Sequence, residues 1–309
     1  MNKIPIVFCF DDNLLLPAGV CISSLLENAK ESTFYDIFIL HDEHATFPAS
    51  NFLEQLNTKY QNFSITYRNV GNPFPEAFEI RGITIPAYYR LLIPKLIPEY
   101  DTIMYHDVDV IFRSDLSDLF LNTDMTGYYI AGVLSASSYD SDARSYRMSL
   151  GLDPVNYINS GNLIFNSVQL LADGIVELFK SEIKNRYKFQ DQDIINILCK
   201  DNIKFLPPTY SGTIDMYKFA SCHTGGHIFD DVELKEMLVN GNIHYNGPKP
   251  WKELCPNFDI WWEYYRDSVF FDPPFYFSFY ASKMDYLDSL SLKKRLKILL
   301  RYFKVGQVK

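Results

Sequence analysis

Apolar residues in this chain fall into short runs separated by polar segments, and the period changes from run to run. Residues 4–10 are an unbroken apolar stretch, the pattern of a strand buried on both faces. Asp11-Asp12-Asn13 ends it, and Ala18, Val20, Cys21 and Leu25 then predict a helix over 17–28. Residues 35–40 read as a second strand, 48–60 as a helix with Phe52, Leu53 and Leu56 at helical spacing, and 63–67 as a third strand that alternates. This β-α-β-α-β order predicts a parallel sheet wound right-handed, like a nucleotide-binding half. Pro86 and Pro98 bracket a helix over 85–96, and 115–119 is a short helical turn. Strands are predicted at 128–134, 163–166, 203–206 and 242–245, with helices over 168–187 and 190–200. Residues 135–156 are polar without a clear period and read as a long loop or lid with room for one helix; 207–241 also reads as loop-rich.

The stretch 102–110 (Thr-Ile-Met-Tyr-His-Asp-Val-Asp-Val) is a short buried strand ending in two carboxylates, Asp107 and Asp109. Where a strand leaves its sheet, the in/out alternation relaxes, so both carboxylates can face one point beyond its C-terminal edge. Open α/β sheets bind ligands there. Two hard oxygen donors at one point suit Mn²⁺ or Mg²⁺, and such a cation suits a diphosphate.

With 309 residues and 47% apolar side chains, the chain can bury one large α/β domain. Its net charge of −9 argues against nucleic acid as a partner. The charge is unevenly spread. Residues 293–309 hold seven basic and no acidic groups, leaving 22 basic against 38 acidic in the first 292. Five cysteines without C-x-x-C spacing predict a reducing compartment, and no stretch reads as a signal peptide or a membrane span. We therefore expect a domain over 1–270 and a separate tail over 271–309.

Four other polar constellations stand at the ends of predicted strands or the start of a helix. Asp11-Asp12-Asn13 can hydrogen-bond a base edge or form an Asx turn that caps the next helix. Asn159-Ser160-Gly161-Asn162 admits close approach to the backbone, or is an ordinary turn. Gln190-Asp191-Gln192-Asp193 opens a helix, with Asp191 placed to act as its N-cap; it has more polar groups than a cap needs, which points to sugar hydroxyls. His244, at a strand end, can be a third cation ligand, with Gly247 and Lys249 beyond it suited to a phosphate. His223 and His227 lie in a polar loop without a carboxylate set and are read as no metal pair.

Taken in order, Phe10-Asp-Asp-Asn13, Tyr105-x-Asp-x-Asp109, Asn159-Ser-Gly161 with Gln190-Asp-Gln-Asp193, and His244-Tyr-x-Gly-Pro with Lys249-Pro-Trp251 resemble glycosyltransferase family 8. The resemblance spans about residues 4–251. It implies a GT-A fold, an α/β architecture with a mostly parallel central sheet, and a retaining transfer of galactose or glucose from a UDP-hexose. Lipopolysaccharide-type or other glycan and glycolipid acceptors follow from the same likeness. By position, Asp107, Asp109 and His244 would hold Mn²⁺ (or Mg²⁺), with Val108 between the two carboxylates at the donor's edge. Asp11, Asp12 and Asn13 would meet the uridine, and Arg90, Asn159, Ser160, Gly161, Asp191, Gln192 and Asp193 would surround the sugar. Gly247 and Lys249 would hold phosphate. Leu14 replaces an aromatic expected against uracil, and His106 stands where an apolar residue is usual; we read His106 as a buried histidine, against the alternative of a residue supporting the metal ligands. A protein- or self-glycosylating transferase, or a non-catalytic nucleotide-sugar or metal-binding module, are the alternative readings.

In the tail, Leu290, Leu292, Leu296, Leu299, Leu300 and Phe303 recur at helical spacing among lysines and arginines. That predicts an amphipathic basic helix, with residues 281–309 lying on an anionic membrane surface. The expected location is cytoplasmic, peripheral on the inner face of the cytoplasmic membrane. Packing back onto the acidic body, or a dimer contact, is the alternative.

Overall fold

The computed structural model describes residues 1–74, 77, 85–222 and 228–306; His223 and His227 fall outside them. Seven strands make the main sheet: β1 (Asn2–Cys9), β2 (Thr33–His41), β3 (Phe63–Asn69), β4 (Thr102–His106), β6 (Ile130–Leu134), β7 (Ile158–Asn166) and β8 (Ile203–Leu206). Their spatial order is β3-β2-β1-β4-β7-β6-β8. β1, β2, β3 and β4 run parallel, β7 is antiparallel to both β4 and β6, and β8 is parallel to β6. A second sheet of three short strands, β5 (Val110–Ile111), β9 (Gly212–Thr213) and β10 (Ile243–His244), has β10 in the middle. The expected α/β architecture with a mostly parallel sheet is what forms.

Continuous apolar strands bury both faces, so two cores flank the main sheet. One gathers Ile4, Ile6 and Phe8 of β1 with the Leu15–Glu27 helix and the small sheet; the other gathers Val7, Ile103, Tyr105 and Leu163 with Ile194 and Ile195. The Leu15–Glu27 helix also anchors the chain leaving β5. Ser24 Oγ accepts from Phe112 N at 3.0 Å, and Asn28 Nδ2 donates to Phe112 O at 3.0 Å.

Several helices expected from spacing are broken. Residues 48–60 form two 3₁₀ turns, Phe47–Ala49 and Leu53–Thr58, held by an aromatic contact of Phe52 on Phe270 at 4.5 Å. The 85–96 segment is Pro86–Tyr89, a 3₁₀ turn Arg90–Leu92, and Ile93–Leu96, because Pro94 supplies no backbone donor. Residues 168–187 split into Ser167–Ala172 and Ile175–Glu182 at Gly174, whose φ of 69° ends the first helix. Conversely, the region read as loop-rich contains helices Ile214–Cys222 and Asp231–Asn240, the second capped by Asp230, which accepts from Val232 N and Glu233 N. The 135–156 segment holds the helix Ser141–Ser149, capped by Asp140.

Beyond the sheets, Phe258–Asp267 packs against Pro273–Ser289 through Trp262, which meets Phe279 at 4.5 Å and Tyr280 at 5.5 Å. The last helix, Leu292–Gly306, reaches the Ile214–Cys222 helix, yet Leu292, Leu296, Leu299 and Leu300 stay exposed. No described helix is long and apolar enough to cross a membrane.

The junction of body and tail has little spare room. A Cβ at Gly19 would lie 2.7 Å from the Phe270 ring. Gly19→Val should therefore destabilise the fold by ~1–3 kcal/mol through overpacking. An unchanged melting temperature would show that Phe270 is free to move aside.

Candidate functional site

β4 ends at His106, and the next three residues carry the chain from the large sheet into the small one. Asp107 N donates to Gly161 O at 2.7 Å, which ties the turn to β7, and Tyr245 N donates to Asp109 O at 2.8 Å, which ties it to β10. In the small sheet His244 pairs with Val110, antiparallel. That register sets the imidazole beside the two carboxylates. Its Nε2 lies 3.6 Å from Asp107 Oδ2 and 3.2 Å from Asp109 Oδ1, and one ligand atom from each residue falls within 4.8 Å of the others.

This donor set fits a divalent cation. Asp109 Oδ1 is buried and faces His244 Nε2 at 3.2 Å, and a buried carboxylate oxygen is costly without a positive charge beside it. Gly161 leaves the space beside it open, since a Cβ there would come within 2.5 Å of Asp107 Oδ2 and 2.4 Å of His244 Cε1. Two carboxylate oxygens and an imidazole nitrogen suit Mn²⁺ or Mg²⁺.

The cluster opens into a cleft of about 960 Å³, which is large enough for a nucleotide sugar. Arg90, Asn159, Ser160, Gly161, Asp191, Gln192, Gly247 and Lys249 line it together with Asp107, Asp109 and His244. Arg90 is buried at the break in the 85–96 segment. Its Nη2 lies 3.0 Å from Asp107 Oδ1, its Nε lies 3.4 Å from Asp191 Oδ2, and its Nη1 donates to Ser160 O at 2.7 Å. The guanidinium sits 4.5 Å from the centre of the Tyr105 ring, whose hydroxyl donates to Asp107 Oδ1. Lys249 pairs with Asp109 Oδ2 and donates to Tyr245 O at 2.6 Å, so its ammonium stands at the cluster.

The helix Gln190–Cys199 begins with Gln190 at φ 45°, a backbone state uncommon outside glycine. Asp191 is not the N-cap expected of it; Phe189 holds that position, and Asp191 instead turns its buried carboxylate to the cleft and Arg90. Its Oδ2 accepts no hydrogen bond among the described residues. Gln192 Oε1 accepts from Ser160 N at 3.2 Å and Asn159 Nδ2 at 3.3 Å, while its Nε2 donates to Tyr157 Oη at 3.1 Å. Asp193 does not line the cleft. It is fully buried and accepts from Tyr157 Oη at 2.5 Å, Tyr146 Oη at 2.7 Å and Phe189 N at 2.8 Å, so it anchors the helix start.

Asp11, Asp12, Asn13 and Val108 also lie off the cleft lining. Asp11 Oδ1 accepts from Asn13 N at 3.0 Å, an Asx turn. Asp12 accepts from Thr46 N and Phe47 N, which fixes the loop after β2, and Val108 is a core residue. Sequence reasoning assigned Tyr157 and Tyr210 no part in the site, and it named Tyr105 and Asn162 only as members of polar motifs, without a role. Asn162 was visible only as the last polar residue before an apolar strand.

Charges in the cluster hold one another. Burial would lift the Asp107 carboxyl, but Arg90 and His244 keep it below the usual carboxylate range. Burial likewise opposes ionisation of Asp109, and Lys249 and His244 pull it well below that range. Desolvation opposes a charge on His244, yet Asp109 and then Asp107 outweigh it and raise its value to about 9. The Asp191 carboxyl is pushed up by burial, only partly offset by Arg90. Burial pushes His106 down to about 3; the ring is buried, and its two nitrogens meet Asn162 and Tyr210.

A family model described as glycosyl transferase family 8 matches residues 5–255. A putative glycosyltransferase of Haemophilus influenzae is 27% identical over 212 residues, 67% of this chain and 63% of that protein. A lipopolysaccharide 1,2-glucosyltransferase of Escherichia coli is 26% identical over 79% of this chain and 71% of its own. Among solved structures, the galactosyltransferase LgtC, in complex with donor and acceptor sugar analogues, superposes with a TM-score of 0.72 at 22% identity, over 88% of this chain and 98% of its own. The bifunctional glycosyltransferase WbbM also gives 0.72, at 23% identity over 90% of this chain and 51% of its own. The chain thus spans under two thirds of the Haemophilus relative and about half of WbbM. The structural likenesses show a GT-A fold.

Two outcomes follow from the cluster. Gly161→Ala should weaken Mn²⁺ binding by ~10-fold or more, because its methyl group displaces a ligand; calorimetry showing unchanged affinity would mean that the cation does not sit there. A proton competes with the cation for His244 below its raised value of about 9. Mn²⁺ affinity should therefore strengthen as pH rises, by up to ~10-fold per unit below that value, and level off above it.

Proposed function

The chain belongs to glycosyl transferase family 8, and from that membership we propose that it is a metal-dependent, retaining hexosyltransferase. It moves galactose or glucose from a UDP-hexose to a hydroxyl of a lipopolysaccharide-type or other surface glycan. The observation that carries this reading is the convergence of Asp107, Asp109 and His244 on one point of a cleft that also presents Asn159, Asp191 and Gln192. A module that only bound a diphosphate and a cation would have no use for those last three polar groups. A transferase would use them on sugar hydroxyls.

The donor binds with uridine toward residues 11–13 and diphosphate toward Lys249 and the backbone N–H of Gly247. Lys249 leaves Asp109 for phosphate oxygen as the diphosphate arrives, exchanging one anionic partner for another. When bound, the cation supplies Lewis-acid neutralisation of charge on the departing UDP. Arg90 fixes Asp107 and Asp191 together, and the Asp191 carboxylate in the cleft lining accepts a sugar hydroxyl. Gln192 stands over the anomeric region. Its amide oxygen is a weak nucleophile and serves better to stabilise the positive charge that develops there. Asp193 is closed in by three donors, which disfavours a covalent adduct on it. Front-face attack then accounts for retention. The acceptor oxygen bonds to the anomeric carbon as the bond to UDP breaks, and the acceptor proton passes to the departing phosphate.

The exposed leucines of Leu292–Gly306, set among Lys293, Lys294 and Lys297, support the membrane reading of residues 281–309. On this reading residues 1–270 are the catalytic domain and 271–309 the membrane-associating tail. The protein sits on the inner face of the cytoplasmic membrane, near a lipid-linked acceptor.

UDP release from UDP-galactose or UDP-glucose should require Mn²⁺ or Mg²⁺, stop on chelation, and fall at least ~100-fold in Asp107→Asn. NMR of the transferred sugar should give the donor's anomeric configuration. Inversion would exclude the retaining route, and no UDP release from any hexose donor would favour the binding module. Removal of residues 281–309 should release the protein from anionic liposomes; absence of liposome binding by the full chain at low salt would exclude the membrane role.

A further inference from the structure

A line of buried polar groups runs from the cation cluster into the interior. Asn162 Nδ2 lies 3.0 Å from His244 Nδ1 and 2.7 Å from Ser211 Oγ. At the other end of the same amide, Oδ1 lies 2.5 Å from His106 Nδ1. His106 Nε2 in turn lies 2.8 Å from the Tyr210 hydroxyl. His244, Asn162, His106 and Tyr210 are each at most 2% exposed. The His106 ring packs edge-on against Phe112 and Tyr210. Polar groups so deep in an apolar core are tolerated only when each finds a partner.

A histidine that ligates a cation through Nε2 carries its hydrogen on Nδ1, and that buried N–H needs an acceptor. Asn162 is the side chain that meets His244 Nδ1. With its NH₂ group facing His244, Nδ1 has to accept, the hydrogen sits on Nε2, and no lone pair remains for a cation. An asparagine amide places oxygen and NH₂ in nearly the same volume, so it can turn end for end without disturbing its neighbours. Once turned, Oδ1 accepts from His244 Nδ1–H and from the Ser211 hydroxyl, and NH₂ donates to His106 Nδ1.

His106 can follow because a neutral imidazole has one donor and one acceptor. Its hydrogen is then on Nε2 and is donated to the Tyr210 oxygen. Within Asn162, His106 and Tyr210 no proton is gained or lost; only the position of the His106 hydrogen and the sense of the chain are reversed, while the proton that His244 gives up to a cation leaves from Nε2. An alkyl side chain at position 106 would leave the inner end of Asn162 unpaired in either sense.

We propose that His106 and Asn162 are positioning residues for the cation site. With a cation on Asp107, Asp109 and His244, the Asn162 oxygen faces His244 Nδ1 and His106 carries its hydrogen on Nε2. The inference rests on the cation reading of that cluster.

The test is a two-bond ¹H–¹⁵N correlation spectrum of the full chain labelled with ¹⁵N-histidine and titrated with Mg²⁺, which leaves the signals sharp, alone and with UDP. The loss of one set of signals in His106→Gln assigns His106. At saturation His106 should show hydrogen on Nε2, and His244 hydrogen on Nδ1 with a ligated Nε2. A His106 that keeps its hydrogen on Nδ1 while His244 is ligated overturns the proposal. If His244 does not respond to Mg²⁺ or Mn²⁺ at all, the cation reading fails and takes the proposal with it. As a second arm, Asn162→Val should weaken Mn²⁺ binding ~10–100-fold by calorimetry. His106→Gln, whose amide can serve in either sense, should retain most of the affinity. Wild-type affinity in a folded Asn162→Val protein also overturns the proposal.

Discussion

The structure turns on one short handover. At Asp107-Val108-Asp109 the chain leaves a large parallel sheet and enters a small one, and both sheets hold it by backbone hydrogen bonds. A turn gripped from both sides has little freedom, so its two carboxylates point where the sheets dictate. The antiparallel pairing of Val110 with His244 then brings an imidazole from more than a hundred residues away into the same few ångströms. Two anions at this distance repel, and burial strengthens that repulsion. Arg90, Lys249 and His244 are the positive charges that make the turn affordable, and a cation would complete the balance.

Around that point, the supporting groups are mostly shared. Arg90 serves Asp107, Asp191 and the Ser160 carbonyl at once. Gln192 joins the start of β7 to Tyr157, and Tyr157 joins it to Asp193. Each polar side chain thereby fixes another, which lowers the entropy lost when a donor is bound. The same sharing couples the positions energetically, so substitutions here are not expected to add independently. Glycine at 161 has the opposite task. It contributes no side chain, and the space it leaves is the space that the ligand atoms need.

The tail follows different physics from the body. Pro273–Ser289 docks through an aromatic cluster centred on Trp262, a large buried ring that packs well without exact complementarity. Leu292–Gly306 touches the body yet leaves its leucines in solvent. The contact with the Ile214–Cys222 helix accords with packing back onto the body, and the exposed leucines leave an apolar face outward.

The sequence by itself determined the strands and the order of chemistry along them. The continuous apolar run at 4–10 and the apolar residues 37–40 lie in strands because no other element buries both faces in so few residues. It also named Asp107, Asp109 and His244, through the ordered set of motifs that resembles the family rather than through any one residue. Helix continuity was less legible. Spacing records which face is buried, whereas Gly174 and Pro94 break helices through backbone geometry. The helices Ile214–Cys222 and Asp231–Asn240 were hidden because their apolar faces are set by what they pack on rather than by a strong period. Asp193 and Asp191 are two residues apart in one polar run, yet one is sealed beneath tyrosines and the other faces the cleft. Nothing local separates them; helix rotation against β7 does. Asn162, His106 and Tyr210 become a connected line only when β4, β7 and the 3₁₀ turn Pro208–Tyr210 close on one interior. Side-chain type is written in the sequence, but which partner satisfies a buried polar group depends on distances that only the assembled sheets define.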